Sequence, residues 1–303
     1  MTLPRPVIPG RFYMITRSCL DRHLFLRPST DTNNAFAYCL AHAAIETEME
    51  VMLTTQMSNH HHTVVFDRQG NYPKFMEYFH RTLARCMNAH LGRDEIFWSG
   101  EQPCVVELLE ITAIIDKLAY AATNPVKDGL VENIADWPGV STYDALLEGG
   151  MLVATRPTFF FRSDRRALPA QLEIPMVVPP ELGDREVFLE VLREEVEKRV
   201  AEFASKRERE GKRGVLGRAL VLAQDCFARA RAPREQGRND IRPRFASKNK
   251  WARIEAAQRG VLFQFLYKRA RSVLLAGRRP VFPRGSYFLP RFMNMPVESA
   301  VAA

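Results

Sequence analysis

The pattern of apolar and polar positions divides the start of the chain into four elements. Residues 11–18 (RFYMITRS) are rich in aromatic and β-branched side chains, which is typical of a strand. Residues 33–47 begin at an asparagine and repeat apolar side chains every three or four positions, so we expect a helix. Residues 51–57 and 61–66 predict two strands joined by a tight connection.

The next stretch completes an α+β pattern. Residues 73–91 carry an apolar side chain at every fourth position and predict a helix. Residues 102–108 predict a strand, and residues 109–123 predict a helix that ends at Asn124-Pro125, because the residue before proline disfavours helical geometry. The order β-α-β-β-α-β-α predicts an α+β domain over residues 1–150, with a ferredoxin-like, mainly antiparallel sheet and helices on one face.

Charge separates the last third of the chain from the rest. Residues 151–180 contain proline and glycine pairs and predict an irregular linker, and residues 181–303 predict a mostly helical extension. The net charge of +8 divides into −7 over residues 1–200 and +15 over residues 201–303. The basic part predicts a polyanion partner, whereas the alternative is a helical surface whose cations are only solvated. Its candidates for DNA contact are Lys206, Arg207, Lys212, Arg213, Arg244, Lys250 and Trp251.

Cysteine usage and hydropathy indicate a soluble cytoplasmic protein. The five cysteines are widely spaced and form no Cys-x-x-Cys pair, which argues against a disulfide framework or a thiolate zinc site. No run of apolar residues reaches the roughly 18 that a membrane-spanning helix requires. The first residues lack the apolar segment of a secretory signal. We therefore expect a cytoplasmic location and no membrane partner.

Three consecutive histidines are the first candidates for chemistry. Side chains alternate between the faces of a strand, so His60 and His62 point the same way and His61 points to the opposite face. The His60 and His62 imidazoles can therefore converge on one divalent ion. A His-x-His pair alone is also typical of solvated or hydrogen-bonded surface histidines, and both interpretations stay open on spacing alone.

Several ordered blocks resemble one protein family. The run TQMSNHHHTVV (residues 55–65) is similar to the Met-Pro-Asn-His-x-His run of the single-tyrosine HUH transposases, in particular their REP-associated branch. Residues 11–17 resemble the first strand of this family, and Phe97-Trp98-Ser99-Gly100 resembles its Trp-containing loop. The block YAATNPVKDGLV (residues 120–131), with Trp137-Pro138 after it, is similar to its Tyr-x-x-x-Asn-Pro-Val block. The resemblance covers roughly residues 10–145.

The resemblance implies a DNA strand transferase. Tyr120 would attack a phosphodiester of single-stranded DNA beside a REP-like hairpin and form a 5′-phosphotyrosine intermediate. His60, His62 and Asn124 would hold Mg²⁺ or Mn²⁺. Tyr120 and Asn124 are four residues apart, so a helix places them on one face. Three cations in or beside the matched blocks complete the expected DNA contacts: Arg11, Arg17 and Lys127.

Alternatives accompany each of these assignments. Asn124 before Pro125 is also typical of a helix C-cap, and Tyr120 is also typical of a core tyrosine on an amphipathic helix. The whole chain could be a non-catalytic DNA-binding protein on the same fold. A metal-dependent hydrolase that uses His60 and His62 with water as the nucleophile is a third class. The resemblance leaves the oligomeric state open between a monomer and a homodimer.

Overall fold

A five-stranded sheet forms the centre of the computed structural model, which describes residues 4–161, 168–211, 214–230 and 244–299. The strands, numbered along the chain, are β1 (Arg11–Ser18), β2 (Glu50–Gln56), β3 (His60–Asp67), β4 (Cys104–Leu108), β5 (Met151–Thr155), β6 (Gln171–Pro175) and β7 (Phe245–Ala246). The central sheet has the order β2-β3-β1-β4-β7, and all pairs are antiparallel except β4 with β7. The predicted α+β class with a mainly antiparallel sheet is confirmed.

Helices connect and flank these strands. They are α1 (Thr30–Thr47), α2 (Tyr72–Leu91), α3 (Ile111–Lys127), α4 (Tyr143–Glu148), α5 (Arg185–Arg209), α6 (Arg218–Ala223), α7 (Lys250–Leu275) and α8 (Phe288–Phe292). The mostly helical character predicted for the C-terminal part is confirmed by α5 to α8. Within the described ranges, no helix combines the length and the apolar content that a membrane crossing requires.

Helices cover both faces of the central sheet, whereas the sequence predicted one covered face. His61 of β3 packs against Phe36 of α1 and Phe79 of α2, with ring centroids 5.8 and 5.2 Å apart. On the opposite face, the His62 ring lies 5.2 Å from the ring of Tyr120 in α3. Burial along β3 agrees with this arrangement, because every residue after His60 is buried, as expected for a strand enclosed on both sides.

Helix α3 continues through the proline that was predicted to end it. Pro125 lies in its last turn, and the Asp128 amide donates to the Asn124 carbonyl at 3.0 Å. Proline lacks an N–H donor and therefore removes one hydrogen bond from this turn, but the helix continues around it. The helix ends beyond Lys127, where Gly129 adopts a φ of +67°. Asn124 is therefore a helical residue and not a C-cap.

The described residues of the 151–180 segment (151–161 and 168–180) do not form an irregular linker. Strands β5 and β6 pair in an antiparallel two-stranded sheet, and both bury alternate side chains. This alternation is typical of strands with one covered face. The Asn34 side chain of α1 exchanges hydrogen bonds with the backbone of Thr155 at 2.8 and 2.9 Å, which fixes the small sheet against α1.

The start of the basic extension packs on α3. Arg199 of α5 donates to the Asp116 carboxylate at 2.6 Å, and Arg207 donates to the Val126 carbonyl at 3.1 Å. Both partners belong to α3, the helix that carries Tyr120. Further along, β7 adds to the edge of the central sheet beside β4. The extension therefore contacts both the sheet and the helix that the site requires.

Candidate active site

His60 and His62 lie at the start of β3 on the face that α3 covers. Their Nε2 atoms are 3.1 Å apart, so the two imidazoles meet edge to edge. The register pairs His62 with Thr16 of β1, on the same face of the sheet. The convergence that the His-x-His spacing allowed is present in the fold.

The outer ring nitrogens of this pair are held by oxygen atoms. His60 Nδ1 lies 2.6 Å from Asn59 Oδ1, and His62 Nδ1 lies 2.7 Å from Thr16 Oγ1. An amide oxygen only accepts, so His60 carries its proton on Nδ1 and leaves a lone pair on Nε2. When His62 donates to Thr16 in the same way, both Nε2 lone pairs face one point. Metal-binding histidines in proteins are usually oriented by this kind of hydrogen bond.

Burial keeps both imidazoles neutral. It lowers the pKa of His60 to about 4, and the nearby cations Arg22 and Lys127 act in the same direction. Burial also lowers the pKa of His62 well below its usual value, with further contributions from His60 and His61. Only a neutral imidazole has a lone pair for a metal ion, so the pair is in its ligating form at neutral pH.

Tyr120 lies against the histidine pair in the middle of α3. Its ring meets the His62 ring edge to face at 5.2 Å. The side chain is half-buried, so it is in contact with the core without being enclosed by it. The phenol and the two imidazoles therefore share one partly open region of the structure.

Asn124 completes the group one turn after Tyr120. Its Nδ2 lies 3.2 Å from His62 Nε2, while its Oδ1 is buried without a hydrogen-bond partner among the described residues. Nitrogen and oxygen of an amide exchange places when the group rotates by half a turn, and that rotation aims Oδ1 at the histidine pair. No group of three His, Cys, Asp or Glu that could hold a metal occurs in the described part of the chain. The unsatisfied amide oxygen is therefore the group beside the histidine pair that could serve as a third ligand if the pair held a metal ion.

A small apolar cluster positions α3 against the histidine strand. Met57, next to the turn before His60, packs with Val126 of α3 and with Trp137. The Trp137 indole also donates to the Gln56 carbonyl at 2.9 Å. A Cβ on Gly139 would lie 2.5 Å from Trp137 Nε1, so this approach requires glycine. The Asn-Pro-Val and Trp-Pro blocks therefore hold Tyr120 and the histidines in place.

Two lysines flank Tyr120. Lys127 Nζ lies 4.9 Å and Lys117 Nζ 5.7 Å from the centre of the phenol ring. Lys127 was expected from the sequence, whereas Lys117 was missed. The sequence could have indicated Lys117 through its position three residues before Tyr120, because residues three apart share a helix face. Thr16 and Asn59 were missed as well, and Asn59 could have been found from its position beside His60.

Two arginines of β1 that were expected to contact DNA lie away from Tyr120. Arg17 pairs in register with His61, so it lies on the opposite face, where its guanidinium covers the Trp98 ring at 5.3 Å. Arg11 shares that face at the far end of β1 and lies 3.7 Å from Glu107. In the described structure, these two arginines are therefore not part of the Tyr120 site.

The described DNA-contact candidates of the basic C-terminal extension lie in two places, on α5 and around β7. Arg207 reaches the end of α3 through Val126, and Lys206 lies 3.8 Å from Glu210 on the exposed side of α5. Arg244, Lys250 and Trp251 lie together around β7 and the start of α7, and 74% of Trp251 is exposed. Lys212 and Arg213 lie outside the described residues.

A second histidine pair occupies the α1/α2 face. His61 Nε2 lies 2.9 Å from His80 Nε2, and Trp98 donates to the His80 carbonyl at 2.8 Å. Burial lowers the pKa of His61 to about 3. It also lowers the pKa of His80 well below the usual 6.5, with His61 and Arg17 contributing. These rings are packed in the core, and their neutral form stabilises the fold.

We expect the free energy of unfolding to fall between pH 7 and pH 5, and the His80→Gln variant to show a smaller fall. The unfolded chain protonates His80 below about pH 6.5 while the folded chain keeps it neutral, so the unfolded state binds more protons. This difference amounts to about 2 kcal/mol for one such histidine at pH 5. Urea unfolding at both pH values measures it. An equal fall in both proteins would contradict a neutral, buried His80.

Comparison with known proteins gives a similarity to a solved structure. No protein-family model and no curated protein matches the chain. Among solved structures, the chain is similar to a REP-associated tyrosine transposase bound to a REP hairpin, with a TM-score of 0.42 and 17% sequence identity. The similarity covers 57% of this chain and 98% of that chain.

Proposed function

We propose that this protein cleaves and rejoins single-stranded DNA beside a hairpin, with Tyr120 as the nucleophile and Mg²⁺ or Mn²⁺ as the metal ion. The observation that supports it is the convergence of four side chains on one face of the sheet. The phenol of Tyr120 contacts His62, whose Nε2 lies 3.1 Å from that of His60 and 3.2 Å from the Asn124 amide. These are the residues that the motifs singled out.

The chemistry follows from these groups. The Tyr120 oxygen loses its proton to water and forms a bond to phosphorus, while the bond from phosphorus to the 3′ oxygen breaks. The departing oxygen takes up a proton, which leaves a 3′-OH and a 5′-phosphotyrosine. Attack by a 3′-OH reverses the step and joins strands without another energy source, because the phosphotyrosine conserves the bond.

The surrounding residues have separate tasks. His60, His62 and the Asn124 amide oxygen would hold the cation, which when bound polarises the phosphoryl oxygen and stabilises developing negative charge. Lys117 and Lys127 place positive charge beside the Tyr120 ring, where a DNA phosphate would lie. Two imidazoles also suit transition metals, so Mn²⁺ is expected to support the reaction at least as well as Mg²⁺.

The basic extension would supply much of the DNA affinity. It carries +15 over residues 201–303, against −7 for the rest of the chain. Exposed aromatic side chains such as Trp251 lie among its cations, and bases of single strands stack on such side chains. Because α5 packs on α3, DNA held by the extension would be close to Tyr120.

A covalent-adduct assay tests the proposal. The full chain is incubated with hairpin DNA that carries single-stranded extensions, in Mg²⁺, in Mn²⁺ and in EDTA. We expect a metal-dependent protein–DNA adduct that survives denaturing electrophoresis and maps to a peptide containing Tyr120. Binding without an adduct under all conditions would instead indicate a non-catalytic DNA-binding protein. Cleavage without an adduct would indicate a hydrolase that uses water.

A further inference from the structure

A second cleft lies on the other face of the sheet, between the sheet and α7. Its volume is about 350 Å³, at the lower end of the range of small-molecule sites. Tyr13 on its wall faces the same side as Arg17 and His61, so the sheet separates the cleft from the His60–His62 pair. It is therefore distinct from the Tyr120 site.

The walls of the cleft are aromatic on one side and lined by small side chains on the other. On one side, Tyr13 and Tyr72 form an aromatic surface with ring centroids 4.5 Å apart. On the other side, α7 presents Ala257, Gly260 and Val261, which share one helix face. Glycine is unfavourable inside a helix, yet a Cβ on Gly260 would meet only Phe245, at 3.9 Å. The small residues therefore keep a slot open between α7 and the tyrosines.

Polar groups for hydrogen bonding lie on the tyrosine side of the slot. The Tyr13 hydroxyl is buried, finds no hydrogen-bond partner among the described residues, and belongs to a side chain that is only 3% exposed. Glu107 is the register partner of Tyr13 on β4 and also lines the cleft. Its carboxylate forms an ion pair with Arg11 at 3.7 Å, a separation longer than a hydrogen bond. Tyr13 and Glu107 thus bring a hydroxyl and a carboxylate from neighbouring strands into the lining of one cleft.

Positive charge completes the lining. Arg5 and Arg244 both line the cleft, and Arg5 donates to the Val105 carbonyl at 2.6 Å, which holds it along the sheet edge. Arginine pairs well with phosphate oxygens. A nucleotide is complementary to this lining. Its planar base with hydrogen-bonding edges matches the aromatic side chains and the polar groups, and its phosphate matches the arginines.

We infer that this cleft binds a guanine nucleotide, with the base in the slot between α7 and the two tyrosines. The Watson–Crick edge of guanine offers two adjacent N–H donors, which match the two oxygens of the Glu107 carboxylate. The Tyr13 hydroxyl donates to the guanine carbonyl, and the phosphate lies near Arg244. The same chemistry is available in a free nucleotide and in a guanine of a single DNA strand. The inference does not require strand cleavage, because neither Tyr120 nor a metal ion takes part.

Calorimetric titration of the full chain in EDTA tests the inference. The probes are the four nucleoside 5′-monophosphates, a single-stranded thymidine oligonucleotide, and the same oligonucleotide with one central guanosine. The variants are Gly260→Leu, which fills the slot, Tyr13→Phe and Glu107→Gln. Gln258→Leu is the matched control, because it adds the same side chain to an exposed neighbouring position of α7.

We expect guanosine monophosphate to bind more tightly than the other three nucleotides. Gly260→Leu should weaken it by at least about 20-fold, Glu107→Gln by about 10-fold and Tyr13→Phe by about 5-fold, while Gln258→Leu leaves it unchanged. Tyr13→Phe should also leave the melting temperature equal or higher, because it removes an unpaired buried hydroxyl. Binding of the guanosine-containing strand, but not of the thymidine strand, identifies DNA as a source of the ligand.

Two results would overturn the inference. One is the absence of guanine-dependent binding with both the mononucleotide and the oligonucleotide. The other is guanine binding that Tyr13→Phe and Glu107→Gln leave unchanged, which would place the ligand elsewhere even if Gly260→Leu fails to fold. Because the readout is binding without metal, failure here leaves the adduct assay unaffected, and failure of the adduct assay leaves this result unaffected.

Discussion

Replacing Tyr120 by phenylalanine should abolish the covalent protein–DNA adduct and leave the fold intact. The substitution removes only the phenolic oxygen, so the ring can keep its edge-to-face contact with His62 at 5.2 Å. Loss of the nucleophile removes the only route to phosphotyrosine at this position, and we expect a fall of at least about 1,000-fold in adduct formation. Denaturing electrophoresis of labelled hairpin DNA measures the fall.

A matched tyrosine separates chemistry from packing. Tyr78 of α2 is also half-buried, but it lies on the α1/α2 side, where Arg81 covers its ring at 5.5 Å. Tyr78→Phe should form the adduct at the rate of the unmodified protein. DNA affinity should be equal in both variants. If Tyr120→Phe formed as much adduct as the unmodified protein, or if Tyr78→Phe lost as much adduct as Tyr120→Phe, Tyr120 would not be the nucleophile.

Replacing His60 by alanine should weaken metal binding strongly and, with it, adduct formation. His60 Nε2 supplies one of two converging lone pairs, and its Nδ1 is fixed by Asn59 at 2.6 Å. Without it, His62 and Asn124 alone would face the cation. We expect Mn²⁺ affinity and adduct formation to fall by at least about 100-fold, since losing even an orienting partner of a ligand costs 10- to 100-fold. Manganese titration followed by electron paramagnetic resonance measures the affinity.

His90 provides the control for this variant. It lies in the last turn of α2, where its ring contacts Phe159 at 5.0 Å, away from α3. His90→Ala should keep the Mn²⁺ affinity and the adduct yield of the unmodified protein. If His60→Ala binds Mn²⁺ as tightly as His90→Ala does, the histidine pair is not a metal site. A folded, inactive Tyr120→Phe protein that still binds Mn²⁺ would show that nucleophile and metal site are separable.

The positions of the cationic residues show where sequence reasoning failed. Arg11 and Arg17 lie in or beside a matched block, yet the antiparallel register pairs Arg17 with His61 and not with His62. A shift of one position in that pairing would have placed Arg17 on the Tyr120 face, and strand patterns alone do not fix such a shift. Lys117 reaches Tyr120 because α3 presents this face to the sheet, and Arg207 reaches α3 because α5 packs there.

The sequence by itself determined the α+β class and the local geometry of the candidate site. Alternation along β3 places His60 and His62 on one face, and the helical repeat places Tyr120 and Asn124 on one face, because both are properties of a single element. Only the tertiary structure decided that these two faces meet, that α3 continues through Pro125, and that helices enclose both sides of the sheet. Those outcomes depend on packing between residues far apart in the chain, such as Met57 with Val126 and Trp137, and local patterns carry no information about such distant partners.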